Sequence, residues 1–211
     1  MYCPAPFKED NPAALIDLIK QFPLATVICQ SADRLTADHI PLLYEATPDG
    51  LGTLVGHVAK NNPLWKLSAD QEVLLVFQGV SAYISPNWYA TKQEAGKVVP
   101  TWNYSVVHAY CSLSAIHEPD QVLRILTELT DHNEASQSAP WKVADAPSEF
   151  TAKLLGSIVG INLQIKRWQG KWKVSQNQPK KNQQSIIQGL LTSPIDEQNQ
   201  MALLVQAHLS D

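Results

Sequence analysis

VSAYISPNWYATKQEAGKVVPTWNY, running from Val80 to Tyr104, is the stretch on which the reading of this chain turns. It holds Tyr83, Trp88, Tyr89, Trp102 and Tyr104, five of the sixteen aromatic residues, in 25 of 211 positions. Between them stand Ser85, Pro86, Asn87, Lys92, Lys97, Pro100 and Asn103. A buried core collects rings but does not mix them with so many turn formers and hydrogen-bonding tips. The mixture suits a surface that grips a planar, polar ligand. It also suits a long loop tied down by aromatic anchors, and both readings are open on these residues.

Upstream of that stretch, Asn11-Pro12 reads as a helix start, with Leu15, Leu18, Ile19 and Phe22 at helical spacing and Pro23 as the stop. Leu24 to Cys29 is a β-branched apolar run and predicts a strand. A loop at 31–34, a strand from His39 to Glu45, a turn at 47–50 and a strand from Thr53 to Val58 follow. The Val58 strand feeds Lys60-Asn61-Asn62-Pro63, where a short helix can open through Leu67. Free backbone N–H groups beside Lys60 make a phosphate seat, and a plain β-to-α connection explains the same residues. Glu72 to Gln78 predicts a central strand, apolar from Val73 to Phe77.

Downstream, Ser105 to Ile116 predicts a strand and Pro119 to His132 an amphipathic helix. A third helix runs from Asp145-Ala146-Pro147 through Leu155. Ile161, Leu163 and Ile165 alternate with Asn162, Gln164 and Lys166, which predicts a half-buried strand. Gln169-Gly170 reads as a turn into a further strand, Lys171 to Gln176, with Trp172 and Val174 on one face and Lys173 and Ser175 on the other. Two tail helices, near 182–191 and 194–209, close the chain. Strands in sequential groups, not alternating with helices, argue against a doubly wound parallel sheet. The expected class is α+β: an antiparallel barrel with helices filling its gaps.

A hydrophobic content of 45% and charged content of 17% describe an ordinary globular chain. Cysteines 3, 29 and 111 are odd in number and far apart, so no disulfide framework is implied. The opening MYCPAPFKED lacks a signal-peptide pattern, no apolar run reaches a membrane span, and a reducing cytoplasm is the expected setting. The net charge of −4 hides an asymmetry. Residues 150–195 contain no Asp or Glu but seven Lys and Arg, leaving −11 for the rest. A basic segment in an acidic protein points to an anionic partner, or to solvated faces.

There is no G-x-G-x-x-G, P-loop, G-x-S-x-G or C-x-x-C pattern. His108 and Cys111 lie at i and i+3 of a strand and face opposite ways, which argues against a zinc pair there. His39, His57 and His108 together leave a haem-binding barrel open as an alternative. The final helix carries no Lys or Arg, so it lacks the phosphate contacts of a DNA-reading helix.

The runs GTLVGHVAKNNPLW (52–65), AYISPNWY (82–89), KVVPTWNYSVVHAY (97–110), PWKVADAP (140–147) and GKWKVSQN (170–177), with MYCPAPF and HIPLL (39–43), resemble the PaiB family of FMN-binding negative transcriptional regulators. Residues 181–185 depart from that family's pattern. The resemblance implies an FMN-binding split β-barrel over 1–178, a helical extension over 179–211 packed on it, and a homodimer with flavin at the subunit interface. It implies regulation of transcription, direct or through another molecule, with a flavin-dependent oxidoreductase as the alternative activity. Within that resemblance, His57 and Lys60 suit the FMN phosphate, with Lys173, Ser175 and Gln176 as a second set. Trp88, Trp102 and Tyr104 offer ring faces, Ser85 and Asn103 offer edges, and His39, Ile40 and Pro41 line the ring.

Overall fold

The computed structural model describes residues 1–31, 34–48 and 50–209; of Ala95 only the backbone is described. The expected turns at 31–34 and 47–50 fall partly on Ala32, Asp33 and Asp49, which lie outside the described residues.

The first helix forms where Asn11 and Pro12 place it. It is α1, Pro12–Gln21, and the Asn11 side-chain oxygen accepts the Ala13 N–H at 3.0 Å. The strands are β1 (Lys8–Glu9), β2 (Leu24–Ser31), β3 (Arg34–Pro41), β4 (Leu43–Glu45), β5 (Thr53–Ala59), β6 (Glu72–Ile84), β7 (Thr101–Ile116) and β8 (Ile158–Lys173). The remaining helices are α2 (Lys92–Ala95), α3 (Pro119–Glu134), α4 (Ser148–Leu155), α5 (Lys180–Leu191) and α6 (Asp196–Ala207), with short 3-10 turns at Pro63–Lys66 and Pro86–Trp88 among others.

One eight-stranded sheet runs β3-β2-β6-β7-β8-β5-β4, and β1 pairs with β8. The described registers are antiparallel: Thr26 faces His39 and Val76, and His57 faces Gly160. The class is the expected α+β. The sheet is not a simple meander, because β2 turns to β6 and β5 to β8.

Two expectations are corrected. The strand predicted over 39–45 is two strands, with Leu42 buried between them. The turn predicted at Gln169-Gly170 does not exist, because β8 continues through it. Gly170 pairs with Glu9, and a Cβ there would lie 2.3 Å from Leu15 Cδ2 and 2.7 Å from the Glu9 carbonyl. Its glycine serves close packing of α1 and β1 on β8, not a change of chain direction.

The chain forms two compact units. Unit 1 is Met1–Gln21, Gln78–Val107 and Gln169–Asp211; unit 2 is Phe22–Phe77 and His108–Trp168. The predicted helical extension 179–211 falls with unit 1. Its core includes Leu15, Ile19, Ile84, Trp172, Ile186, Leu190 and Met201. In unit 2 Val55, Ile125 and Leu129 cluster, with Leu43 and Ile116 against them. Apolar burial of such side chains contributes about 1.5–3 kcal/mol each. Among the described residues no helix is long and apolar enough to cross a membrane.

Candidate functional site

In unit 1 the aromatic stretch divides by task. Ser85 caps the turn Pro86–Trp88, its hydroxyl accepting the Asn87 N–H at 3.2 Å. Trp88 lies under α5. A Cβ at Gly189 would sit 2.4 Å from Trp88 Cγ, so only glycine lets the helix approach the indole. The Ser185 hydroxyl donates to the Trp88 carbonyl at 2.5 Å and accepts the Ala90 N–H at 3.1 Å. Asn182, buried, accepts the Thr91 N–H and donates to its hydroxyl, both at 3.0 Å. This half of the stretch therefore fastens the tail helices. The connection through α2 is solvent-exposed at Lys92, Gln93 and Glu94.

The other half is differently exposed. Trp102 is 56% exposed and meets Tyr83 edge-to-face at 6.1 Å. Tyr104 is half-buried, and the Lys171 ammonium lies 5.2 Å from its ring and 5.8 Å from that of Tyr2. Lys171 is itself buried and donates to the Tyr2 carbonyl at 3.1 Å. Beside it on β8, Lys173 donates to the Thr101 hydroxyl and to the Trp102 carbonyl. Burial, and the neighbouring charge of Lys171, lower the Lys173 pKa. Asn103 and Ser175 are buried and share a hydrogen bond at 2.9 Å. A cavity of about 200 Å³ opens here, lined by Tyr89, Thr101, Asn103, Lys173 and Ser175 among others.

The face pattern predicted for 171–176 is corrected on two counts. The strand stops at Lys173, and both Lys171 and Ser175 are buried along with Trp172 and Val174. Gln176 makes the ending: its amide accepts the Val174 N–H at 2.8 Å and donates to the Trp172 carbonyl at 2.5 Å. Ser175 is held at φ 64°, the only non-glycine residue with positive φ among those described.

In unit 2 the predicted residues gather where β3 ends against β5. His39 and Pro41 are exposed, opposite Thr26 and Leu24, while Ile40 is buried. A Cβ at Gly56 would lie 2.9 Å from the Pro41 carbonyl, so the strand carrying His57 passes close to 41–42. His57 is half-buried. Its Nδ1 is buried without a hydrogen-bond partner, and burial lowers its pKa, so at neutral pH it is an uncharged imidazole with a polar atom to offer. His108 has the same orphaned Nδ1 and the same downward shift from burial.

Lys60 follows directly after β5. Its N–H donates to the Ser157 carbonyl at 2.9 Å and its carbonyl accepts the Trp65 indole N–H at 3.0 Å. These bonds fix the backbone, while the exposed ammonium has no partner among the described residues. The residue lines a cavity of about 440 Å³ with His117, Val122, Leu155, Ile158 and Val159. His117 stands edge-to-face with Trp65 at 5.4 Å. Asn62 accepts the Leu64 N–H at 2.8 Å and so starts the expected turn. Nothing in the local pattern singled out His117; Tyr89 and Thr101 lie within the deciding stretch 80–104 but carried no role of their own. Lys171 was legible as the i−2 neighbour of Lys173 on one strand.

These donor sets fit FMN chemically. An exposed, unpartnered ammonium at the end of β5 suits a phosphate, and exposed indole and phenol faces suit a flat ring.

The chain is similar to known proteins along its length. It is 31% identical to "Protease synthase and sporulation protein PAI 2" of Bacillus subtilis, over 99% of this chain and 98% of that one. It is 34% identical to an uncharacterized protein of Emericella nidulans, over 86% of this chain and 82% of the relative. Among solved structures, the flavocytochrome Anf3 from Azotobacter vinelandii superposes with a TM-score of 0.60 at 14% identity, covering 79% of this chain and 69% of that one. The FAD and haem binding protein from Mycobacterium smegmatis gives 0.58 at 19% identity, covering 79% and 73%. At these identities the likeness shows the fold alone, and that fold is the antiparallel split β-barrel with flanking helices. Residues 1–167 match the family described as "Putative FMN-binding domain", so the chain belongs to that family and its cofactor is FMN.

Proposed function

We propose that this protein is a regulatory flavoprotein of the PaiB type, working as a homodimer and altering gene expression through another molecule. Its similarity to a protein named for protease synthesis and sporulation supports a regulatory role. The indirect route follows from α6, whose exposed face offers Asp196 and Glu197 but no Lys or Arg to a DNA backbone.

The observation that carries the flavin assignment is in unit 2: the unpartnered Lys60 ammonium at the end of β5, on the strand that also carries the orphaned His57 Nδ1. In this reading His57 and Lys60 hold the FMN phosphate, and the 39–41 segment lines the ring. When bound, FMN supplies one- and two-electron redox chemistry, and the chain's residues bind and orient it. Association of two copies would cover exposed apolar area at Trp102, Tyr83 and Val99.

The test is the absorption spectrum and identity of what copurifies, with FMN added to any apo fraction and the mass in solution measured. Flavin bands, stoichiometric FMN and a dimer are expected. No bound flavin and no uptake of FMN would overturn the proposal, and a Soret band would replace flavin with haem. Turnover of a reduced nicotinamide by the holo-protein would move the reading from regulator to oxidoreductase. Salt-dependent binding to a defined DNA would overturn the indirect route.

A further inference from the structure

The small cavity of unit 1 is left over once the FMN phosphate is assigned to His57 and Lys60, and its chemistry is one-sided. Its lining carries no Asp or Glu. Lys173 spends two of three ammonium protons on Thr101 and Trp102, which leaves one. Asn103, 1% exposed, donates to the hydroxyl of Ser175, 3% exposed, at 2.9 Å and its side-chain oxygen faces the same hydroxyl at 3.2 Å, so its amide retains a second N–H. Tyr89 is 6% exposed, and its hydroxyl has no partner among the described residues. Burial raises the Tyr89 pKa, which keeps that hydroxyl a donor. Two positions before Lys173 on β8 stands Lys171, a cation that is itself buried and has no carboxylate partner among the described residues. Two ammonium groups on one strand, at i and i+2 and unmatched by acid, leave a positive potential that burial strengthens.

Backbone strain marks the same spot. Ser175 lies in the left-handed region, where the chain folds back so that the Gln176 amide bonds the Val174 N–H and the Trp172 carbonyl, both ahead of it. A non-glycine residue there costs of order 1 kcal/mol, and such residues cluster at ligand sites. The cavity, about 200 Å³, is below the roughly 300–1,000 Å³ of pockets that enclose larger ligands. It has room for a single charged group, not for a flavin.

We propose that the cavity formed by Lys173, Asn103, Ser175 and Tyr89 is a second anion site, which takes a small oxyanion, free or as the carboxylate or phosphate end of an organic acid. It rests on the FMN phosphate being held elsewhere, by His57 and Lys60. The occupant would be an effector or co-substrate that approaches the protein independently of the cofactor.

The experiment is calorimetric titration of the FMN-loaded protein with inorganic phosphate, and separately with acetate, at constant ionic strength. Saturable binding of at least one is expected, weakened about tenfold or more in Lys173→Gln, the scale of one charge-assisted hydrogen bond. Ser175→Gly relieves the strained φ but gives up the hydroxyl that partners the buried Asn103 amide; with its fold verified by the melting curve, it should bind the anion more weakly. A stronger response to phosphate than to acetate identifies a phosphate head, and the reverse a carboxylate. Non-saturable heats, or equal affinity in both variants, would overturn the site. So would Lys173→Gln weakening FMN more than riboflavin, which would hand the cavity to the cofactor's own phosphate. Flavin absorbance read on the same samples separates failure here from failure to bind FMN.

Discussion

Replacing Lys60 by alanine isolates one interaction, because the side chain has no intramolecular partner to lose. Its backbone bonds to Ser157 and Trp65 survive the change, so thermal stability should not move. A charge-assisted hydrogen bond contributes about 1.5–3 kcal/mol, and the exposure of Lys60 places it low in that range or just under it. A loss of about 1–2 kcal/mol corresponds to a Kd for FMN weakened about 5- to 30-fold. The assay is flavin fluorescence on titrating apo-protein with FMN and, in parallel, with riboflavin, which has no phosphate. FMN should weaken and riboflavin should not, and the gap should shrink as salt rises. Equal weakening of both flavins would mean that Lys60 acts on the ring or on the fold. Undiminished FMN affinity would remove Lys60 from the site.

Other outcomes follow from packing and titration. Gly189→Ala places a Cβ 2.4 Å from Trp88 Cγ. Overpacking of about 1–3 kcal/mol should lower the Tm by roughly 2–12 °C, and an unchanged melting curve would refute the contact. His57 and His108 have pKa values lowered by burial, so the unfolded chain takes up protons first as pH falls. The apo-protein should be fully stable above the unfolded histidine pKa and lose stability as pH drops from there through the folded values, by at most about 1.4 kcal/mol per pH unit for each histidine. Urea midpoints should fall over that window in the parent and fall less in His108→Asn; parallel curves would contradict the assignment. The Cys111 thiol is pushed up to about 12 by burial, so iodoacetamide at neutral pH should spare it and modify half-buried Cys3 first. Early labelling of Cys111 in mass spectra would contradict its burial.

Where the sequence was legible, a local rule and the tertiary structure agreed. Asn11-Pro12 starts α1, Asn62-Pro63 starts a turn, and the apolar run 73–77 lies in a strand flanked on both sides. Gly170 misled because the same residue type serves a turn and a close approach, and the difference lies in Leu15 and Glu9, more than 150 positions away. Trp88 and Trp102 read alike as ring faces. Only the docking of α5 shows that one is an anchor and the other stands 56% exposed. The unpartnered state of His57 Nδ1 depends on what fails to surround it, which no spacing of residues encodes.

The segment composition of unit 1 bears on how the chain is made. Unit 2 has its last residue, Trp168, in place while the tail is still to be added. Unit 1 draws on three separated segments, so its first helix waits for Gly170 to cover Leu15, a partner made after all of unit 2. Synthesis from the N-terminal side therefore leaves the apolar face of α1 to be closed across more than 150 residues, a long-range closure of the kind that folds slowly and invites chaperone attention.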